Sequence, residues 1–155
     1  MKVGLYAGSF DPFTNGHLQV VKKACEVFDV VVVAIGTHPS KTRRFDKEKM
    51  KSAIEEVMEA EGLEDKVEVV IYDGMTVDIA STYNTTYLVR GIRNGMDYEY
   101  EEAIASMNQE VGSLDTLYFR AGELGNVSSS MVMELLRNGK DVSKYLPEAV
   151  LKVVS

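Results

Sequence analysis

The chain has 155 residues, with 17 Lys and Arg against 24 Asp and Glu for a formal net charge of -7, a single cysteine and two histidines. That length suits one domain able to bury its own core, while the acidic balance argues against general nucleic-acid binding unless basic residues are gathered in one place. One cysteine excludes an internal disulfide, and two histidines are too few for the usual clustered zinc site.

Directly after Met1, Lys2-Val3-Gly4-Leu5-Tyr6-Ala7 is a short apolar run entering a turn. It lacks the long apolar stretch and small-residue cleavage site of a secretory leader, and no segment reaches membrane-spanning length, so a cytoplasmic chain without membrane contact is expected. The first strand is predicted over Val3 to Ala7. A helix from about Gly16 to Phe28 follows, because Leu18, Val21, Ala24, Cys25 and Phe28 recur at helical spacing. Cys25 lies on that apolar face with no basic neighbour, and reads as a packing residue instead of a nucleophile. A second strand, Val30 to Ile35, leads to a helix over about Asp46 to Glu61 that carries Met50, Ile54, Val57 and Met58 on one face and stops at Gly62. Strands near Val67 to Tyr72, Thr86 to Val89 and Thr116 to Phe119 alternate with helices over Met75 to Tyr83 and Asp97 to Val111. A fifth helix begins among Ser128, Ser129 and Ser130 and ends at Asn138-Gly139, and Pro147 fits the first turn of a last short one. Such alternation predicts an α/β fold: a single-domain Rossmann-like arrangement of dinucleotide-binding type, with a five-stranded parallel sheet flanked by helices, over residues 1–155.

In an open parallel sheet, ligands bind beyond the carboxyl ends of the strands, where strand order reverses. The loops after strands one, two, four and five are therefore the places to look. The first, Gly8-Ser9-Phe10-Asp11-Pro12-Phe13-Thr14-Asn15-Gly16-His17, packs glycines, a proline, hydroxyls and a histidine into ten residues. It delivers His17 to the first turn of a helix, where free N–H groups favour an anion. On its own, a histidine there is more often structural. After strand two come Gly36-Thr37-His38-Pro39-Ser40-Lys41, with Arg43 and Arg44 close behind, the local basic concentration that an acidic phosphate-binding protein requires. Strand four runs into Arg90-Gly91-Ile92-Arg93, whose guanidinium forks match phosphate oxygens. Strand five leads to Gly122 through Ser130, a hydroxyl-rich helix start that either caps the helix or cradles phosphate. Neither a GxxxxGK[ST] nor a GxGxxG loop occurs.

Thr14-x-Gly16-His17, preceded by Gly-Ser-Phe-Asp-Pro, resembles the T/HxGH signature of the nucleotidyltransferase superfamily. Four blocks in order, GSFDPxTNGH, PSK, RGIRNxxDYEYE and SSSMV with a later YLPE, resemble the bacterial phosphopantetheine adenylyltransferases over essentially the whole chain. That resemblance implies transfer of an adenylyl group from ATP to 4'-phosphopantetheine, with Mg²⁺ accompanying the nucleotide, coenzyme A as a feedback ligand and a homohexamer as the assembly. It implies that Ser9, Lys41, Met75 and Arg90 line the pantetheine-phosphate site. It also implies that Ser9, Phe10, His17, Gly91, Ile92, Arg93, Glu101, Leu124, Gly125, Asn126, Val127, Ser128, Ser129 and Ser130 hold ATP, and that His17, Lys41 and Arg90 act in catalysis. The chain departs from the family pattern at Leu124, Gly125 and Asn126, where an aromatic, a serine and a phenylalanine are usual, and at Met133, where Lys or Arg is frequent. Two other readings stand beside this one: a sister adenylyl- or cytidylyltransferase for another small phosphate, and an ATP-binding homologue without turnover.

Overall fold

The computed structural model describes residues 1–37, 42–92, 95–120 and 127–155. Strands β1 (Val3–Gly8), β2 (Val30–Thr37), β3 (Val67–Asp73), β4 (Tyr87–Ile92) and β5 (Asp115–Arg120) alternate with helices α1 (Asn15–Cys25), α2 (Lys47–Ala60), α3 (Thr76–Thr82), α4 (Gly95–Gly112), α5 (Ser129–Arg137) and α6 (Glu148–Val154). The sheet is parallel throughout, in the order β3-β2-β1-β4-β5. Chain order therefore reverses between β1 and β4, which opens the crevice in which such sheets take ligands.

Because successive strand residues face opposite sides, β1 feeds two cores. Tyr6 joins Val33, Ile35 and Val89 beneath α1 and α2, together with Phe10, Phe13, Leu18, Val21, Met50 and Ile54. Leu5 and Ala7 join Val32, Ala34 and Leu88 on the other face, against Ala80 of α3. Both faces of the central strands are covered, which is why their sequences read as unbroken apolar runs instead of alternating ones. Cys25 is buried in the first core, and burial pushes its thiol up, as suits an inert packing group.

Two helix ends prepare the site. Asp46 caps α2 by accepting from Lys49 N at 3.0 Å, and Ser128 caps α5 by accepting from Met131 N at 3.1 Å. Among the described residues no helix is long and apolar enough to cross a membrane.

Candidate active site

The loop between β1 and α1 explains the spacing of its own motif. Thr14 is the N-cap of α1: its Oγ1 accepts from His17 N at 3.3 Å, and His17 Nδ1 accepts from Thr14 N at 3.0 Å. This is a capping box with histidine in the place where Glu or Gln usually stands. Because Nδ1 must accept the Thr14 N–H, the ring proton is left on Nε2, so the imidazole is a neutral donor. Tyr6, Phe10 and Phe13 surround the ring, with centroids 6.4, 5.0 and 5.5 Å from it. Burial, aided by the nearby Arg90 charge, lowers its pKa from 6.5 to about 4, which keeps it neutral at physiological pH.

Asp11, 8% exposed, ties this loop to the segment after β2. Its carboxylate accepts from Arg44 N at 2.7 Å and Phe45 N at 3.0 Å, and lies 3.6 Å from Arg43 Nη2. Arg43 Nη1 donates to Ser9 O at 2.6 Å, and Arg44 Nη1 to Asp11 O at 3.2 Å. The two arginines expected to supply charge for a phosphate are thus largely occupied in lashing two loops together. Sequence reasoning missed this because it counted their charges without knowing their partners. Lys41 lies outside the described residues.

Across the crevice, Arg90 of β4 donates from Nε to Glu101 Oε2 at 2.7 Å, from Nη2 to Glu101 Oε1 at 2.9 Å and from Nη1 to Ala7 O at 2.6 Å. Burial works against the Arg90 charge, but the hydrogen bonds and charge of Glu101 outweigh it, and the guanidinium is held above its usual pKa. Arg90 borders a cleft of about 240 Å³ with Ala7, Gly8, Ser9, Gly36, Thr37, Tyr72, Gly74 and Thr76. These residues lie on or just beyond the carboxyl ends of four strands. A second cavity of about 210 Å³ shares Ala7, Thr76 and Arg90 with the first and extends beneath α4, past Ile104, Ala105, Asn108 and Thr116. Asn108 is 7% exposed, and Thr116 Oγ1 is buried without a hydrogen-bond partner among the described residues. Sequence reasoning passed over both. The available signal was a polar Asn108 seven residues after Glu101, on the same helix face as Ile104 and Ala105.

Other expected site residues fall around this crevice. Ser9 is exposed at the cleft. The ring of Phe10, 2% exposed, is committed to the core and to His17. Gly91 allows α1 to sit close on β4, since an added Cβ would meet Val20 Cγ2 at 2.8 Å, and Ile92 ends the strand opposite Arg120. Met75, the N-cap of α3 and 45% exposed, stands between the cleft residues Gly74 and Thr76. At α5, Val127 packs on the core, Ser128 caps the helix, Ser129 Oγ donates to Pro12 O at 2.7 Å and Ser130 is exposed. The Ser129 bond brings a helix N-terminus against the His17 loop. Arg93, Leu124, Gly125 and Asn126 lie outside the described residues. His17, Arg90 and Ser129 are therefore gathered at the carboxyl rim of β1 and β4.

The family model described as cytidylyltransferase-like matches residues 5–135. A phosphopantetheine adenylyltransferase of Porphyromonas gingivalis is 40% identical over 147 residues, 94% of each chain, and one of Phocaeicola vulgatus is 41% identical over 151 residues, 97% of this chain and 98% of that one. Among solved structures, Thermotoga maritima TmcAL bound with α-thio ATP superposes with a TM-score of 0.72 at 14% identity, over 99% of this chain and 55% of that one, a likeness of fold alone. A five-stranded parallel sheet, a histidine locked into the first turn after β1, and relatives of matching length at this identity lead to one placement: the chain belongs to the phosphopantetheine adenylyltransferase family.

Proposed function

We propose that the chain transfers the adenylyl group of ATP to 4'-phosphopantetheine, releasing pyrophosphate and forming dephospho-coenzyme A, a step of coenzyme A synthesis. The observation that carries this reading is the His17 imidazole, fixed through Nδ1 by the loop backbone so that Nε2–H is the donor left for a ligand. An oxygen of the 4'-phosphate attacks the α-phosphorus, the bond from that phosphorus to its bridging oxygen breaks, and pyrophosphate carries the electron pair away. The attacking oxygen is already ionised, so no general base is needed, and catalysis reduces to orientation and charge stabilisation. His17 donates to an α-phosphate oxygen as charge builds there. Arg90 orients the acceptor phosphate beside Ser9 and Met75, and Lys41 bridges acceptor and α-phosphate. Ser9, Phe10, Gly91, Ile92, Arg93, Glu101 and the 124–130 segment frame the nucleotide, with its outer phosphates at the N-terminus of α5. The pantetheine arm extends from Arg90 into the cavity under α4, where Asn108 and the Thr116 hydroxyl offer partners for its amides.

Mg²⁺ would accompany the nucleotide in this reading and would neutralise phosphate charge. The described residues hold no cluster of three or more metal-ligating side chains. In nucleotide sites Mg²⁺ usually takes few protein ligands beside phosphate oxygens and water. A cytoplasmic homohexamer with coenzyme A as feedback ligand completes the proposal.

The test is incubation with ATP, Mg²⁺ and 4'-phosphopantetheine, followed by mass analysis. Dephospho-coenzyme A is the expected product. Product only with nicotinamide mononucleotide or glycerol phosphate as acceptor, or ATP binding without turnover, would replace this reading with one of the rivals.

A further inference from the structure

Phe10 has a φ of 45°, in the left-handed region that a bulky side chain adopts only where its surroundings impose it. This turn folds its ring back over Gly8, where an added Cβ would stand 3.1 Å from Phe10 Cζ. It also sets the ring edge-on to the His17 imidazole, with centroids 5.0 Å apart and planes at 89°. Tyr6 and Phe13 close on the same ring at 5.1 and 5.5 Å. One guanidinium brackets the strained residue from the segment after β2. Arg43 Nη1 donates to Ser9 O at 2.6 Å, Nη2 reaches Phe10 O at 3.5 Å and Asp11 Oδ1 at 3.6 Å, and Nε donates to Phe45 O at 3.1 Å. Ser9 O and Phe10 O belong to the two peptide planes whose relative rotation defines φ and ψ of Phe10. A rigid, planar group that engages both oxygens therefore sets that rotation directly.

We infer that Arg43 is a positioning residue that acts through the left-handed turn at Phe10 on the His17 imidazole, not a phosphate ligand. The inference rests on the function proposed above. The hydrogen bonds to Thr14 fix the Nδ1 side of the ring. They leave the tilt of its plane, and with it the direction of Nε2–H, to the packing of Phe10 and its neighbours. Were the guanidinium lost, the turn would relax, and the Phe10 ring, 2% exposed, would no longer be held against the imidazole. A misplacement of about 1 Å in such a donor is enough to cost about 10²-fold in rate.

The test is a double-mutant cycle on the full chain: unsubstituted protein, Arg43→Ala, His17→Gln and the double variant, with Arg43→Lys as a second probe. Pyrophosphate release is measured with ATP and 4'-phosphopantetheine varied in turn, well below the melting temperature of each variant. Arg43→Ala is expected to lower kcat by about 10- to 10²-fold with either KM changed by less than about threefold, because the Nε2 donor acts as charge builds in the transition state. In the His17→Gln background, where that fixed donor is already gone, the same substitution should change kcat by less than about twofold while still lowering the melting temperature. Arg43→Lys keeps a charge beside Asp11 but not the planar fork, and should fall between. Should Arg43→Ala fail to fold by circular dichroism, Arg43→Lys completes the same cycle. Apart from turnover, the ring C–H resonance of His17, identified as the signal lost in His17→Gln, should shift in the Arg43 variants. An unchanged kcat in folded Arg43→Ala, a loss carried by KM, equal kcat losses in the two backgrounds, or an unmoved His17 resonance would overturn the inference. Absence of product from the unsubstituted protein would refute the proposed reaction separately, and the His17 resonance would still decide the role of Arg43.

Discussion

Replacing His17 separates two jobs that the capping box combines. In His17→Ala the Thr14 N–H, on a residue with no exposed surface, loses its acceptor, and an unsatisfied buried donor costs about 1 to 3 kcal/mol. For a chain of this size each kcal/mol lowers Tm by about 2 to 4 °C. The same substitution removes the Nε2 donor, and loss of one transition-state donor commonly costs about 10² to 10³ in turnover. His17→Gln should divide these effects, because glutamine at the third helical position is a standard capping-box acceptor for the N-cap N–H. With its amide oxygen bonded to Thr14, its NH₂ sits on a flexible side chain and is not held rigidly where Nε2 stood. The expected result is a near-native melting temperature with turnover as low as that of His17→Ala. Thermal denaturation and continuous pyrophosphate release read the two quantities on the same samples. A His17→Gln enzyme running at the unsubstituted rate would refute the role of Nε2, and a His17→Ala protein as stable as the parent would refute the structural half.

The depressed His17 pKa carries a sign. Between about 4 in the folded chain and 6.5 otherwise, the unfolded chain binds more protons, so this group's contribution is complete above about pH 6.5 and is lost as pH falls through about 4. His17→Gln should flatten that part of the stability profile, as read from urea midpoints at about pH 4.5 and about pH 7; an unchanged slope would count against it. Asp11→Asn should cost about 3 kcal/mol by weakening charged hydrogen bonds to Arg44 N and Phe45 N. It should also speed hydrogen exchange at those two amides, and unaltered exchange would show that the carboxylate does not anchor the segment. Gly91→Ala should destabilise by about 1 to 3 kcal/mol through its contact with Val20, with partial relief in Gly91→Ala/Val20→Ala. Strict additivity in chemical denaturation would contradict the close-packing account.

The sheet was legible because each of its apolar runs is short, β-rich and followed by a helical pattern. The edges moved where tertiary pairing overrode local signals. Residues Arg90 to Ile92 looked like loop, yet β4 continues through them because Tyr118, Phe119 and Arg120 are ladder partners. Phe28 keeps the apolar period of α1, but the helix ends at Cys25, and the Phe28 ring instead fills the space left by Gly4, where an added Cβ would meet it at 2.7 Å. The motif around His17 could be read directly because the hydrogen bonds that fix the ring, both to Thr14, are local. The partners of Arg43, Arg44 and Arg90 could not, since Asp11 and Glu101 are assigned to them by the fold and not by spacing. Composition counts charges; only packing decides which are free.

Strand β1 works as a partition wall. Tyr6 looks into the compartment that cages the imidazole, while Leu5 and Ala7 look into the one that holds Thr76, Asn108 and the Arg90–Glu101 pair. Changes that reshape the acceptor chamber can therefore accumulate on one side of the wall without loosening the ring on the other. A scaffold divided in this way is able to keep its nucleotide chemistry while exchanging the molecule that receives the adenylyl group.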